Sequence, residues 1–291
     1  VISIPLSFFS GIGVASKKGI LVKGSNYLEA IANTETVVFD KTGTLTKGVF
    51  EVQKINVLSD ISEDELIRII AHAENYSNHP IAQSIKNAYN NEIDEKIISN
   101  TEEISGLGIL AQIENKQVLV GNEKLMEKYN IKYTKCEDIG TVLYIAINNK
   151  FVGSILISDE IKQDSYKAIK QLKQNKIKNI AMLTGDRKNV AEDVAKKLEI
   201  KEVYSELFPE GKVKKVEQII KEKRQKGKVV FVGDGINDAP VLALSDIGIA
   251  MGGLGADSAI EAADIVIMND SIEAISDVIK LSKKTMRIVK E

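Results

Sequence analysis

Three stretches of the chain have the pattern of buried parallel strands, because each is a short apolar run that ends in a polar turn. They lie at residues 36–40 (TVVFD), 180–184 (IAMLT) and 229–234 (VVFVGD). Helical spacing of apolar residues predicts helices at 161–174, 189–198, 210–225 and 239–244, and two more strands are predicted at 246–251 and 264–268. This alternation predicts an α/β fold with a doubly wound parallel sheet, whose ligands bind beyond the carboxyl ends of the strands.

The stretch between the first of these strands and the others has a different pattern. Residues 48–157 contain two helical stretches, followed by alternating segments at 109–113, 118–120, 142–147 and 151–157. This pattern predicts a second domain of α+β type, inserted into the first. Since the insertion follows a strand-end loop, we expect it to carry a ligand to the site at that loop.

Both ends of the chain have the pattern expected of a fragment cut from a longer protein. Residues 1–15 are apolar and are followed by lysines. As a helix they span about 22 Å, less than the roughly 30 Å bilayer core, which suits half of a membrane helix or, alternatively, a buried core segment. The predicted organisation is a membrane-helix end and linker (1–34), a first domain in two parts (35–47 and 158–270), the inserted domain (48–157) and a membrane-connecting helix (271–291).

Composition narrows the possible functions. The 291 residues include 39 basic and 41 acidic ones, for a net charge of −2, so the electrostatic signal of a nucleic-acid-binding protein is missing. Cys136 is the single cysteine, which excludes an internal disulfide and a cysteine zinc site and favours a reducing, cytosolic setting.

The strongest chemical signal is the heptapeptide 40–46 (DKTGTLT) at the end of the first strand. A carboxylate at a strand end can attack phosphorus, and the backbone N–H groups that follow can bind phosphate oxygens. The heptapeptide resembles the phosphorylation motif of P-type ATPases, which have a haloacid-dehalogenase-like fold. The resemblance implies that Asp40 is the phosphorylated residue, with Lys41 and Thr42 beside it in the catalytic site.

Three downstream elements match the same family in the same order, although each alone has an ordinary explanation as a turn, a solvated lysine or a helix cap. They are Thr184, Gly185 and Asp186; Lys212 in the sequence PEGK; and Asp234, Asn237 and Asp238 in the sequence GDGINDAP. The resemblance implies that Thr184 and the backbone after it hold the phosphoryl group and that Lys212 places a positive charge beside it. The oxygens of the third element suit Mg²⁺, which prefers oxygen ligands and accompanies ATP, and the resemblance implies that Asp40, Thr42 and Asp234 bind this ion.

The residue two positions after Asp40 separates two kinds of enzyme in this fold. Phosphatases generally carry a second aspartate there as general acid and base, whereas this chain has Thr42. Because threonine cannot shuttle a proton near neutral pH, we expect the aspartyl-phosphate to persist until another group positions water. In the family that group lies in an actuator domain with a Thr-Gly-Glu motif, which this chain lacks.

The inserted domain resembles the nucleotide-binding domain of the heavy-metal-transporting branch, P1B. The matching residues are Glu74, His79, Gly106, Gly108, Gly121 and Asn122, which the resemblance implies bind ATP. Glycines allow close backbone approach and imidazole can hydrogen-bond to the nucleotide, whereas the ordinary alternative for residues 78–80 is a helix start with Asn78 as its cap. His72 has no partner motif, so we interpret it as structural.

The first residues indicate the zinc, cadmium and lead group rather than the copper group. Residues 1–5 (VISIP) resemble the stretch that follows a Cys-Pro-Cys metal site, although Ile4 replaces the threonine often found there, and Arg187 replaces the asparagine of many relatives. The resemblance implies a cell-membrane protein with this portion on its cytoplasmic side and a transported divalent metal bound outside the chain. The alternatives are a copper transporter, a soluble phosphatase of the same fold, and a nucleotide-binding regulatory module that never reacts.

Overall fold

The computed structural model describes residues 3–234, 238–252 and 257–290. The strands are β1 (Ile20–Val22), β2 (Thr34–Asp40), β3 (Thr46–Val57), β4 (Ile98–Ile104), β5 (Gly108–Ile113), β6 (Lys116–Gly121), β7 (Thr141–Ile147), β8 (Lys150–Ile161), β9 (Asn179–Leu183), β10 (Glu202–Tyr204), β11 (Lys228–Gly233), β12 (Ile247–Met251) and β13 (Ile265–Ile267). The helices are α1 (Ser3–Lys17), α2 (Ser25–Ile31), α3 (Glu63–Ala73), α4 (Pro80–Tyr89), α5 (Glu123–Lys128), α6 (Gln163–Gln174), α7 (Lys188–Lys197), α8 (Pro209–Glu222), α9 (Ala239–Leu244), α10 (Asp257–Ala262) and α11 (Glu273–Lys290). The chain divides into two units, residues 1–48 with 161–291, and residues 49–160.

The first unit is built on a seven-stranded sheet with the order β1-β13-β12-β11-β2-β9-β10. Neighbouring strands in this sheet are parallel, except that β1 pairs antiparallel with β13. Successive residues of β2 enter cores on opposite faces of the sheet, Val37 and Phe39 on one and Val38 on the other. Burial on both faces explains why this strand is a continuous apolar run, and the predicted doubly wound parallel sheet is confirmed.

The second unit has a six-stranded sheet with the order β3-β8-β7-β6-β5-β4, in which the pairs from β4 to β8 are antiparallel. Helices α3 and α4 cover one face of the sheet and α5 the other. The prediction of two helices in this unit missed α5. This helix has six residues, which is too short to show a clear helical period in the sequence.

Several predicted boundaries are also wrong. Ile161 ends β8 instead of beginning a helix, and α6 begins at Gln163. Strands β1, β4 and β10 were not predicted from the sequence, because they are edge strands that are either three residues long or, in β4, largely polar and exposed. In the part of the chain that the structure describes, none of the helices has the length and apolar character needed to cross a membrane.

Candidate active site

The predicted site lies where the central strands of the first unit end. Asp40 is the last residue of β2 and pairs with Leu183, the last residue of β9. Strand β11, on the other side of β2, ends at Gly233 and is followed by Asp234. Because these strands are parallel, their carboxyl ends share one edge of the sheet, which places Asp40, Thr184 and Asp234 at that edge.

One ammonium group joins two buried carboxylates at this edge. Lys212, in the first turn of α8, lies 2.7 Å from Asp40 Oδ1 and 2.9 Å from Asp238 Oδ1. Asp238 directly precedes α9, and its carbonyl accepts the N–H groups of Val241 and Leu242. The structure thus brings together Asp40, Lys212 and Asp238, residues that are far apart in the sequence.

Burial sets the electrostatics of this triad. Burial, together with the negative charges of Asp238 and Asp234, raises the pKa of Asp40 to about 7, although Lys212 opposes the rise. Burial alone lowers the pKa of Lys212, but the charges of Asp40 and Asp238 outweigh it and the net shift is upward. Lys212 therefore stays protonated, and the site holds a fixed positive charge beside an unusually basic carboxylate.

The loop after Asp40 is closely packed against Asp234. Gly43 has φ +76°, and a Cβ at this position would lie 2.5 Å from Asp234 Oδ2. The hydroxyl of Thr46 donates to the carbonyl of Lys41 across the loop at 3.0 Å. A side chain at position 43 would meet both an unfavourable φ and this carboxylate, which explains the glycine in the motif.

The predicted triplet after β9 is connected to the loop through Lys41. The buried Lys41 ammonium lies 2.8 Å from Asp186 Oδ2, and Thr184 Oγ1 accepts the N–H of Asp186 at 3.1 Å. Gly185 is exposed between them, and Thr42 is exposed at the start of the loop. Asn237, also predicted as catalytic, lies outside the described residues.

The donor set at this edge fits a magnesium ion. Asp40 and Asp234 supply carboxylate oxygens on either side of the loop, and three carboxylates including Asp238 exceed the one ammonium of Lys212. Within residues 3–234, 238–252 and 257–290, no three His, Cys, Asp or Glu side chains are grouped as a metal centre. Mg²⁺ is usually bound by one or two carboxylates together with phosphate and water oxygens, so Asp40 and Asp234 have the chemistry to hold it.

In the second unit, Glu74 and His79 lie at the two ends of the connection between α3 and α4. His79, and not Asn78, is the N-terminal cap of α4, because its Nδ1 accepts the N–H of Ile81 at 3.2 Å. The neutral ring then carries its hydrogen on Nε2, which can donate to a ligand. Lys86 donates to the carbonyls of Asn75 and Ser77, both at 3.3 Å, and so holds this connection in place.

The other four predicted nucleotide-site residues meet at one end of strands β5 and β6. Gly108 pairs with Gly121, and a Cβ on Gly108, at φ +146°, would collide with the carbonyl of Val120. Asn122 Nδ2 donates to the carbonyl of Gly106 at 2.8 Å, while its Oδ1 accepts the N–H of Leu125. Close strand contact therefore accounts for two of these glycines independently of any ligand.

The second histidine is held by the protein itself. His72 is buried, with Nδ1 2.7 Å from the carbonyl of Arg68 and Nε2 accepting the N–H of Asp94 at 3.2 Å. These bonds require a hydrogen on Nδ1 and use both ring nitrogens. The geometry supports the structural interpretation of His72.

Glu103 affects the charge state of one nucleotide-site candidate, Glu74, but was not identified from the sequence. Burial, together with the negative charge of Glu103, raises the pKa of Glu74 to about 7, although Lys86 opposes the rise. Glu103 lies in β4, a polar edge strand without apolar alternation, so nothing in the local pattern distinguished it from a solvated loop residue. Only a prediction of β4 as a strand would have located Glu103.

We expect Glu74→Gln to remove a pH dependence of stability. Glutamine imitates the protonated acid, whereas wild-type Glu74 binds its proton more tightly in the folded state than in the unfolded chain. The stability that this proton provides is lost as the pH rises through the interval from about 4.5 to about 7. Between pH 5 and pH 8, wild type should lose roughly 2 to 3 kcal/mol relative to Glu74→Gln in urea unfolding.

The matched control is Glu102→Gln, which neutralises an exposed glutamate of β4. Its unfolding free energy should follow that of wild type at both pH values. A parallel pH profile for Glu74→Gln and wild type would contradict the burial argument.

Comparison with known proteins agrees with this geometry. A family model described as haloacid dehalogenase-like hydrolase matches residues 34–246. The cadmium, zinc and cobalt-transporting ATPase of Bacillus subtilis is 51% identical over 99% of this chain and 41% of its own length. The zinc-transporting ATPase of Synechocystis is 47% identical over 99% of this chain and 40% of its own length. The chain thus spans about two fifths of these relatives.

Solved structures give the same assignment. A zinc-transporting PIB-type ATPase in the E2.Pi state matches with a TM-score of 0.85 and 31% identity, over 99% of this chain and 47% of that one. The catalytic domain of the CPx-ATPase CopB-B matches with a TM-score of 0.68 and 31% identity, over 92% of this chain and 98% of that one. The chain therefore belongs to the haloacid dehalogenase-like hydrolase family, and within it to the P-type ATPases of the heavy-metal-transporting branch.

Proposed function

We propose that the chain is the ATP-hydrolysing catalytic portion of a zinc or cadmium export ATPase and that Asp40 is the residue phosphorylated in each cycle. The observation that carries this proposal is the buried Asp40 carboxylate at a strand end, 2.7 Å from the Lys212 ammonium. In the reaction, an Asp40 oxygen bonds to the γ-phosphorus of ATP. The bond from this phosphorus to the bridging oxygen of the β-phosphate breaks, ADP leaves, and Asp40 becomes an acyl phosphate.

The neighbouring residues have separate tasks. Lys212 neutralises charge on the attacking carboxylate and on the phosphoryl oxygens, and the Thr184 hydroxyl and the backbone at Gly185 bind the transferred group. Asp40, Asp234 and an oxygen of Thr42 would hold Mg²⁺, which supplies charge neutralisation and orients the phosphate. Asp186 fixes Lys41 through their 2.8 Å ion pair.

ATP would be held in the second unit by Glu74, His79, Gly106, Gly108, Gly121 and Asn122. Two features of the described residues support this choice. A neutral Glu74 and the Nε2–H of His79 are hydrogen-bond donors at the ends of one connection, and the Asn122 side chain fixes the turn at Gly106. Adenine offers ring-nitrogen acceptors to such donors.

The names of the relatives, which are cadmium, zinc and cobalt-transporting and zinc-transporting ATPases, support a proposal for the role of the whole protein. In the complete transporter, acyl phosphate formation at Asp40 would be coupled to movement of a divalent metal across the cell membrane, with this portion on the cytoplasmic side. Water attack on the acyl phosphate would need the actuator domain of the same protein, because position 42 offers no proton carrier.

Acid quenching tests the proposal. The chain is mixed with Mg²⁺ and ATP labelled at the γ-phosphate, quenched in acid and examined for protein-bound label that hydroxylamine removes. We expect such label with γ-labelled ATP and none with α-labelled ATP. Rapid hydrolysis of a simple phosphate ester without bound label would instead indicate a phosphatase, and ATP binding without label would indicate a regulatory module.

A further inference from the structure

Lys162 reaches the phosphorylation loop from a distant part of the sequence. It lies between the end of β8 and the start of α6. Its ammonium donates to the carbonyl of Gly43 at 3.0 Å and to Asp270 Oδ2 at 2.7 Å. The Lys162 side chain is 13% exposed whereas Asp270 is 48% exposed, so the lysine is mostly withdrawn from water and the aspartate anchors it from the surface.

The same short segment holds the loop at a second point. The N–H of Lys162 and the hydroxyl of Ser165 both donate to the carbonyl of Leu45, at 3.0 and 2.8 Å. Asp164 accepts the N–H of Ile272 at 2.8 Å, next to Asp270. Residues 162–165 therefore connect the loop that follows Asp40 with the segment that leads into α11.

The contact at Gly43 matters because Gly43 also touches a proposed magnesium ligand. Its α-carbon faces the Asp234 carboxylate so closely that a Cβ would lie 2.5 Å from Oδ2. Lys162 holds the carbonyl of that same residue. Any movement of the Gly43 peptide would change the distance between the loop and Asp234. It would therefore also change the distance between Asp40 and Asp234.

We infer that Lys162 is a positioning residue for the magnesium site, fixing the Gly43 peptide so that Asp40 and Asp234 can bind one ion together. The inference rests on the proposed function, since it takes Asp40 and Asp234 to be the magnesium ligands. The ordinary alternative is that Lys162 and Asp270 form a surface ion pair that contributes to stability alone. The two differ in whether the lysine affects ion affinity in a fully folded protein.

Binding of Mn²⁺, which shares the oxygen ligands of Mg²⁺, gives a readout that does not depend on activity. The electron paramagnetic resonance signal of free Mn²⁺ is followed during titration of the 291-residue chain at 10 °C without ATP, with Mg²⁺ as competitor. We expect Lys162→Met to raise the Kd about tenfold, in line with the usual cost of losing a residue that orients a metal ligand. Lys162→Arg should retain most of the affinity, and Asp270→Asn should raise the Kd by roughly threefold because the anchor of the ammonium is lost.

Two further variants make the result decisive. Lys167→Met removes a surface ion pair between α6 and Glu273 of α11 and should leave the Kd unchanged. Asp234→Asn should abolish competitive binding, which identifies the site. If Asp234→Asn abolishes binding but Lys162→Met and Asp270→Asn do not weaken it, the inference fails while the proposed function stands. If Asp234→Asn has no effect, the proposed magnesium site fails, and the inference fails with it.

The unfolding midpoint of each variant is measured in parallel. A lower midpoint for Lys162→Met with an unchanged Kd would show a purely structural lysine and overturn the inference. If Lys162→Met does not fold, Asp270→Asn still decides the question, because it keeps the Lys162 ammonium and removes only its carboxylate anchor. An unchanged Kd in Asp270→Asn would then count against the inference.

Discussion

Asp40→Asn is expected to abolish hydroxylamine-sensitive phosphate label while leaving the fold intact. The amide is almost the same size as the carboxylate but cannot attack phosphorus, so the loss should exceed about 10³-fold and reach the detection limit. The Asp40 carboxylate is buried between two other negative charges, which raises its pKa and makes its charged form costly in the folded state. We therefore expect the metal-free variant to be more stable than wild type at pH 8.

The combination of the two effects is the informative result. Wild-type stability should fall relative to Asp40→Asn as the pH rises from about 4 to about 7, because the folded state holds a proton that the unfolded chain has released. Urea unfolding in EDTA measures this difference. Asp193→Asn, which neutralises a carboxylate paired with Lys197 on α7, is the control and should retain full label. Label on Asp40→Asn equal to that of wild type would place the nucleophile elsewhere.

Lys212→Met is expected to reduce both phosphorylation and stability. Its ammonium contacts Asp40 and Asp238, which are almost completely buried, so its removal leaves two carboxylates without this cation. Loss of one partner from such a buried group costs about 3 kcal/mol or more, and the pKa of Asp40 should rise further. The rate of label formation should fall by about 10² to 10³, as when a positioned charge is removed from a transition state.

The pH profile distinguishes this cause from general damage. The stability lost in Lys212→Met should be partly recovered below pH 7, where the Asp40 carboxyl group can take up a proton in the folded state. Lys214→Met changes an exposed lysine two positions along α8 and should behave as wild type in both assays. Equal losses in the two variants would contradict a specific role for Lys212.

The parts that could be predicted from the sequence are those encoded locally. Strand β2 is recognisable because burial on both faces requires an unbroken apolar run, and Asp40 is its last residue. The elements containing Thr184, Lys212 and Asp234 likewise combine a strand end or helix start with polar residues. Sheet topology then explains why these separate elements come together, since the carboxyl ends of β2, β9 and β11 share one edge.

What the sequence did not reveal depends on contacts between distant or irregular segments. Lys162 meets Gly43 across 119 positions of sequence, and its flanking residues resemble an ordinary helix start. Glu103 affects Glu74 from an edge strand whose polar residues give no strand pattern. The glycines at 108 and 121 were assigned to nucleotide approach, yet close contact between strands also requires them.

The interruption of the first unit has a consequence for synthesis of the protein on the ribosome. Strand β2 leaves the ribosome early, but its partners β9 and β11 are encoded after the whole second unit. At about 5–20 residues per second, β2 waits roughly ten to forty seconds for β11, whereas residues 49–160 are continuous and can fold meanwhile. During that interval an apolar strand is without its sheet neighbours, so we expect the nascent chain to need chaperones most before Asp40 has any partner.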